Sequence, residues 1–241
     1  MFMNLQRLDK IISSQLNISR TNAKADIKKG FVSVDGVVVK NPANAYFPEK
    51  VSISYKGQAV SFKEYVYIMM NKPKGVLSAT SDKNRKTVVD LVPPELKRPS
   101  LAPVGRLDKD TTGLLLITDD GQFAHRVISP KSNIKKVYEA VLDAPIPQFA
   151  IEEFSKGVVL ADGTKCLPAK LEILSSNVAK VEIREGKYHQ IKRMFGTIGL
   201  GVNELKRLSI GKLELPTDLK EGKCRELIDI EVEKIEQKVG F

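Results

Sequence analysis

The sequence predicts an α+β protein in two parts: a small basic module over residues 1–60, and a larger domain over residues 61–241 built on a mixed, largely antiparallel sheet with few helices. Three observations predict it. Apolar residues recur at helical spacing only in short stretches, whereas alternating or wholly apolar runs of strand length recur through the larger part. Strands and helices do not alternate strictly, so a doubly wound parallel sheet is not expected. Positive charge is concentrated at the front: residues 1–62 hold nine Lys or Arg and four Asp or Glu, which is half of the net charge of +10 in about a quarter of the 241 residues.

Hydrophobic residues at 42% and charged residues at 28% are ordinary for a globular protein. No apolar run approaches the roughly 20 residues that would cross a bilayer, so no membrane partner is expected. The start, MFMNLQRLDK, has no apolar core after a basic stretch, and no secretory signal is expected. Cys166 and Cys224 lie too far apart for a disulfide framework or a metal knuckle, which points to a reducing, cytoplasmic location. The basic balance points to a polyanion, most commonly nucleic acid. Nothing resembles a phosphate-cradling glycine loop, a dinucleotide fingerprint or a metal-spaced His/Cys set, so neither cofactor nor metal is expected.

In the small module, Leu5, Leu8, Ile11, Ile12 and Leu16 recur at helical spacing. Ser19 offers an N-cap and Gly30 a stop for a second helix. Along it Arg20, Lys24 and Lys28 line one face, and Ala23 and Ile27 mark another. Asp35-Gly36 between two Val-rich runs is a hairpin signal. Residues 41–63 read as the end of the module, with a short connector near Gly57. Two short helices, a basic stripe and a Val-Asp-Gly-Val hairpin, over residues 3–51, resemble the alpha-L RNA-binding domain. The resemblance implies RNA-backbone contacts from Arg7, Arg20, Lys24, Lys28 and Lys29, which would supply affinity through phosphate charge rather than base identity.

In the larger domain, residues 65–70 read as a core strand, and Lys72-Pro73-Lys74-Gly75 as a turn whose lysines are either exposed or facing RNA. Residues 83–86 read as a mobile polar loop. Residues 105–121 read as a polar loop, an apolar strand and a second polar turn, with Gly113 marking a close backbone approach where the strand begins. A short helix over 122–127, strands over 136–142 and 178–183, a helix over 189–198 and short strands in 205–215 and 227–232 complete the reading. The helix over 189–198 places Ile191, Met194, Phe195 and Ile198 on its apolar side.

Taken alone, Asp108 is a turn carboxylate beside Arg106, Tyr138 a half-buried strand aromatic, and His189 a hydrogen-bonded histidine. Their surroundings form three motifs. Gly105-Arg106-Leu107-Asp108 precedes Gly113-Leu114-Leu115-Leu116 and Thr118-Asp119-Asp120-Gly121; Lys136-Val137-Tyr138 follows; Glu185-Gly186-Lys187-Tyr188-His189-Gln190-Ile191-Lys192 comes last. In this order they resemble the family of pseudouridine synthases typified by ribosomal small subunit pseudouridine synthase A, and the resemblance spans nearly the whole chain. It implies isomerisation of a uridine in ribosomal RNA, with small-subunit RNA or a small-subunit assembly intermediate as partner and a monomeric enzyme. It implies that Asp108 is the nucleophile, that Tyr138 packs against the uracil and transfers a proton, and that Lys192 pairs with Asp108 and keeps it ionised. Arg106 would fill the space the uridine vacates or grip the adjacent phosphate, and Leu107 and Ile191 would wall the cleft. Whether Asp108 attacks sugar or base, or promotes elimination across the sugar, is left open.

Three other readings stand beside this one. Asp108, Asp110, Asp119 and Asp120 are enough carboxylates for a metal-dependent nuclease, although an apolar strand separates the two acid pairs. A non-catalytic RNA-binding assembly factor would also carry the basic module. A large-subunit enzyme of the same family is the third.

Overall fold

A computed structural model describes residues 4–236. The chain divides into two compact units, Met1–Val66 with Pro94–Leu101, and Tyr67–Pro93 with Ala102–Phe241.

The first unit holds β1 (Gln6–Arg7), α1 (Leu8–Leu16), α2 (Arg20–Lys28), β2 (Val32–Val34), β3 (Val37–Val38), β4 (Ala45–Tyr46), β5 (Ile53–Tyr55) and β6 (Gln58–Ala59). The spacing of Leu8, Ile11 and Ile12 buries all three against Ala23 and Ile27 of α2 and Val32, Val34 and Ile53 of the sheet. Ser19 caps α2 by accepting a hydrogen bond from the Asn22 amide at 3.1 Å. The Asp35-Gly36 turn joins β2 to β3, with positive φ at both residues, as a tight hairpin needs. Two expectations are corrected. Leu5 precedes α1 and is exposed, and the chain there runs as β1 against β4 instead. Gly57 lies in a second hairpin turn between β5 and β6, again with positive φ at Lys56 and Gly57, rather than in a connector.

Asp9 shapes the basic face of this unit. Its carboxylate is fully buried and takes hydrogen bonds from Arg7 Nη2 (3.0 Å) and Arg20 Nη2 (2.9 Å), with Lys24 Nζ at 3.9 Å. Burial pushes the carboxyl pKa up, but the hydrogen bonds and charges of Arg7 and Arg20 outweigh it and hold the group down to about 2.

The second unit holds β7 (Tyr67–Lys72), β8 (Ala102–Pro103), β9 (Thr112–Thr118), α3 (Gly121–Ile128), β10 (Lys136–Leu142), α4 (Ala150–Lys156), β11 (Lys170–Ser175), β12 (Val178–Ile183), α5 (Gln190–Gly196), β13 (Val202–Ile210), β14 (Leu213–Glu214), β15 (Cys224–Glu226) and α6 (Asp229–Glu236). One sheet runs β11-β12-β10-β13-β9-β7-β15, with β8 paired to β9 and β14 to β13. Its neighbours are antiparallel except β9 and β13, which run parallel. Every residue of β9 is buried, which accounts for its unbroken apolar run. Asp120 caps α3 by accepting from the Gln122 and Phe123 amides, both at 3.0 Å.

Residues 227–232, read as strand, are corrected by α6. Asp229 and Glu231 favour a helix start, and Ile235 is the residue buried against Phe123 and Val127, while Ile228 and Ile230 stay exposed. The sequence reading also passes over α4, a seven-residue helix whose buried positions are Ala150 and Phe154; the Phe154 ring lies 4.9 Å from that of Phe195 on α5. Among the described residues no helix is long and apolar enough to cross a membrane.

Two mutations test this frame. Asp9→Asn removes the anchor of three cations and is expected to cost α1 and α2 about 2 kcal/mol at about pH 6, read by peptide-resolved hydrogen exchange over residues 8–28. Because the folded pKa lies below the ordinary 3.8, the wild-type advantage is full above about pH 4 and disappears as the pH falls towards about 2; an advantage that persists at the lower pH excludes this linkage. Gly113→Ala places a Cβ 2.3 Å from the Arg207 carbonyl oxygen and is expected to destabilise the second unit by roughly 3 kcal/mol or more in thermal unfolding.

Candidate active site

The site lies where the loop entering β9 meets β10, β13 and the N-terminal end of α5. Asp108 sits in that loop, which is fastened on both sides of it. Before it, Ser78 Oγ donates to the Leu107 carbonyl (2.8 Å) and accepts from the Leu107 amide (3.1 Å). After it, the Lys72 ammonium donates to the carbonyls of Thr111 (3.0 Å), Lys109 (3.3 Å) and Pro73 (3.0 Å). The Gly75 amide donates to the Lys109 carbonyl at 2.8 Å, tying the Lys-Pro-Lys-Gly turn to the same loop. Lys72 is therefore fully buried, and neither exposed nor facing RNA. Burial pushes its pKa down to about 8, against the pull of the Asp110 and Asp108 charges, so it still carries a proton at neutral pH.

Gly113 opens β9 opposite Arg207 of β13, and only a residue without a side chain lets the two backbones approach so closely. This contact sets Arg207 beside Tyr138, its cross-strand partner on β10. The Arg207 guanidinium is buried. Its Nε donates to the Leu114 carbonyl at 2.7 Å, its Nη1 reaches the Tyr138 hydroxyl at 3.4 Å, and its Nη2 has no partner among the described atoms. Sequence reasoning missed Arg207, Ser78 and the buried role of Lys72. Nothing local marked them: Arg207 stands beside Lys206 and Ser209 in a mixed segment, Leu-Lys-Arg-Leu-Ser-Ile.

A small cavity of about 70 Å³ opens here. Leu107, Ile183, Ile191 and Leu205 give it apolar walls, Tyr138 an aromatic one, and Asp108 and Arg106 lie at its edge. Leu107, Tyr138 and Ile191 are buried, Arg106 is exposed, and the Asp108 side chain is 27% exposed. Thr111, Lys187, His189 and Gln190 also line it. A slot with apolar and aromatic walls, polar groups and a single carboxylate suits a flat, uncharged heterocycle presented edge-on to that carboxylate.

The third motif frames the other side. Glu185 is buried and accepts from the Gln190 Nε2 (2.9 Å) and from the Leu167 amide (2.8 Å), and it pairs with Lys187. Gln190 Oε1 in turn accepts from the Lys187 amide at 2.9 Å. These bonds hold the turn in which His189 adopts a left-handed backbone (φ 48°, ψ 34°), placing its Nε2 at 3.5 Å from Asp108 Oδ1. Lys192 is brought to the same side but does not form the expected pair with Asp108. Its Nζ lies 2.5 Å from Asp110 Oδ2, because that carboxylate, two residues further into an exposed turn, is the freer partner. The Lys192 hydrogen bond holds Asp110 below the usual carboxylate range, despite some burial.

Arg7, Arg20, Lys24, Lys28 and Lys29 all stand exposed in the first unit, the first three gathered on Asp9. The carboxylates of the nuclease reading do not meet. Asp120 is spent on the α3 cap and the Tyr67 hydroxyl (2.8 Å), at the far end of β9 from Asp108. Among the described residues no group of three or more His, Cys, Asp or Glu side chains converges.

Residues 66–197 match the RNA pseudouridylate synthase family, and residues 6–44 match the S4 domain. The RNA pseudouridine synthase YtzG of Bacillus subtilis is 44% identical over 94% of this chain and 96% of its own. Ribosomal small subunit pseudouridine synthase A of Escherichia coli is 40% identical over 95% of this chain and 99% of its own. A crystal structure of a pseudouridylate synthase, 36% identical, superposes with a TM-score of 0.67 over 95% of this chain and 99% of that one. Relatives this similar along their full length leave one conclusion, that the chain belongs to the RNA pseudouridylate synthase family and carries an S4 domain in front of the catalytic one.

Proposed function

We propose that this enzyme isomerises a uridine of small-subunit ribosomal RNA, with Asp108 as the reacting carboxylate. The observation that carries the reading is a loop clamped on both sides of Asp108 at the edge of a slot walled in part by Tyr138, Leu107 and Ile191. The small-subunit target rests on the relatives that carry it in their names, at about 40% identity across nearly the whole chain.

The reaction breaks the N1–C1′ bond of uridine and forms a C5–C1′ bond; N1 gains a proton and C5 loses one. It is an isomerisation and consumes neither oxidant nor nucleotide. The target base must first leave its stack, at a cost of a few kcal/mol, and Arg106 at the mouth of the slot is placed to occupy the space or hold the phosphate. In the slot, Tyr138 lies along the base face and Asp108 meets its sugar edge. Lys192 supplies positive charge on this side, paired with Asp110 two residues from the reacting carboxylate. The front domain, with Arg7, Arg20, Lys24, Lys28 and Lys29, holds the RNA backbone. A substrate of this kind is met in the cytoplasm, and the enzyme acts as a monomer.

Asp108→Asn should abolish tritium release from C5-labelled uridine in small-subunit ribosomal RNA, a loss of at least about 1000-fold, with RNA affinity changed by less than about twofold. Turnover by the Asn variant at the wild-type rate rejects the assignment. Lys192→Met should lower kcat about 100-fold, whereas Asp110→Asn, which removes an exposed partner only, should change it by less than about threefold. Equal losses in the two variants mean that the Lys192–Asp110 pair, and not the charge of Lys192, is what the reaction requires.

A further inference from the structure

The aromatic pair beside Asp108 has no part in the chemistry above. Tyr188 and His189 stack at 3.9 Å between ring centroids with 17° between their planes. His189 of this pair has its Nε2 at 3.5 Å from Asp108 Oδ1. Tyr188 is 69% exposed, so one face of its ring rests on His189 and the other is open to solvent. Its stacking partner His189 is one of the residues that line the slot.

The stack is also held in place. His189 has a left-handed backbone, uncommon for a residue with a side chain, in a turn held by hydrogen bonds among Glu185, Lys187 and Gln190. Arg193 Nη1 donates to the Tyr188 carbonyl at 3.3 Å and is itself paired with Asp162 at 2.5 Å. Arg106, exposed at the same cavity, is the cation nearest to hand for a phosphate, since Lys187 is paired with Glu185.

We propose that the open face of Tyr188 is a stacking subsite for an unpaired nucleobase, the chain neighbour of the uridine held in the slot. This rests on the reading of the slot as the uridine site. A flipped nucleotide leaves its neighbour unstacked, and an aromatic face stacked on the ring beside the reacting carboxylate replaces the lost stack without reading base identity. The subsite therefore contributes to binding and leaves the chemical step unchanged.

The test uses the full chain and ribosomal RNA containing the modified uridine. Tyr188→Ala should raise KM roughly 5- to 100-fold with kcat within about twofold, and Tyr188→Phe should behave as wild type. Placing an abasic nucleotide on one side of the uridine should cost the wild type the same factor and cost Tyr188→Ala nothing more. An unchanged KM in Tyr188→Ala, equal damage in Tyr188→Phe, or full sensitivity of Tyr188→Ala to abasic neighbours on both sides overturns the subsite while leaving the enzyme reading intact. A wild-type protein that forms no pseudouridine overturns the enzyme reading instead. The subsite is then decided by fluorescence of a short single-stranded RNA with 2-aminopurine next to a uridine, quenched by wild type and not by Tyr188→Ala if it exists, and quenched equally by both if it does not.

Discussion

The contact between Gly113 and the backbone of Arg207 is the constraint on which the catalytic unit depends. It is where two antiparallel halves of the sheet, β11-β12-β10-β13 and β9-β7-β15, are joined by a parallel pair. A parallel junction cannot be closed by a hairpin, so its two strands arrive from distant parts of the sequence and bring different loops with them. Here one strand brings Asp108 and the other brings the neighbour of Tyr138. The side chain missing at Gly113 thus determines the separation of the acid from the aromatic.

Around that junction the carboxylate is held by backbone rather than by charge. Ser78 grips one residue before Asp108, and the Lys72 ammonium grips carbonyls on the other side. A buried ammonium is costly, and three carbonyl acceptors offset much of that cost. The result is a short loop fastened on both sides of its acid, the arrangement a rigid site requires.

Legibility in the sequence followed the range of the interactions. The α2 cap, the Asp35-Gly36 hairpin, the α3 start at Asp120 and the strands over 136–142 and 178–183 are local matters of turn chemistry and periodicity, and they were readable. Gly113 was readable too, as an isolated glycine at the head of an apolar run. The misread segments have too little local signal. Residues 227–232 alternate like a strand, yet Ile235, just beyond them, decides the helix by burying itself. The short α4 offers one apolar pair. At the site, motif resemblance brought Asp108, Tyr138, Leu107 and Ile191 to one slot, but partner choice is tertiary: nothing in the order of residues says that Lys192 meets Asp110, that Lys72 is buried, or that Arg207 stands against Tyr138.

Asp9 carries a consequence for how the front domain meets a polyanion. By gathering Arg7, Arg20 and Lys24 around one carboxylate, it fixes the direction of three long side chains that would otherwise lose conformational entropy on binding. It also cancels one of their charges. A phosphate chain laid across this face displaces the counterions of a cluster of net charge +2, not +3. Its grip is correspondingly less sensitive to salt than a count of exposed cations suggests, by about one unit in the slope of log affinity against log salt concentration.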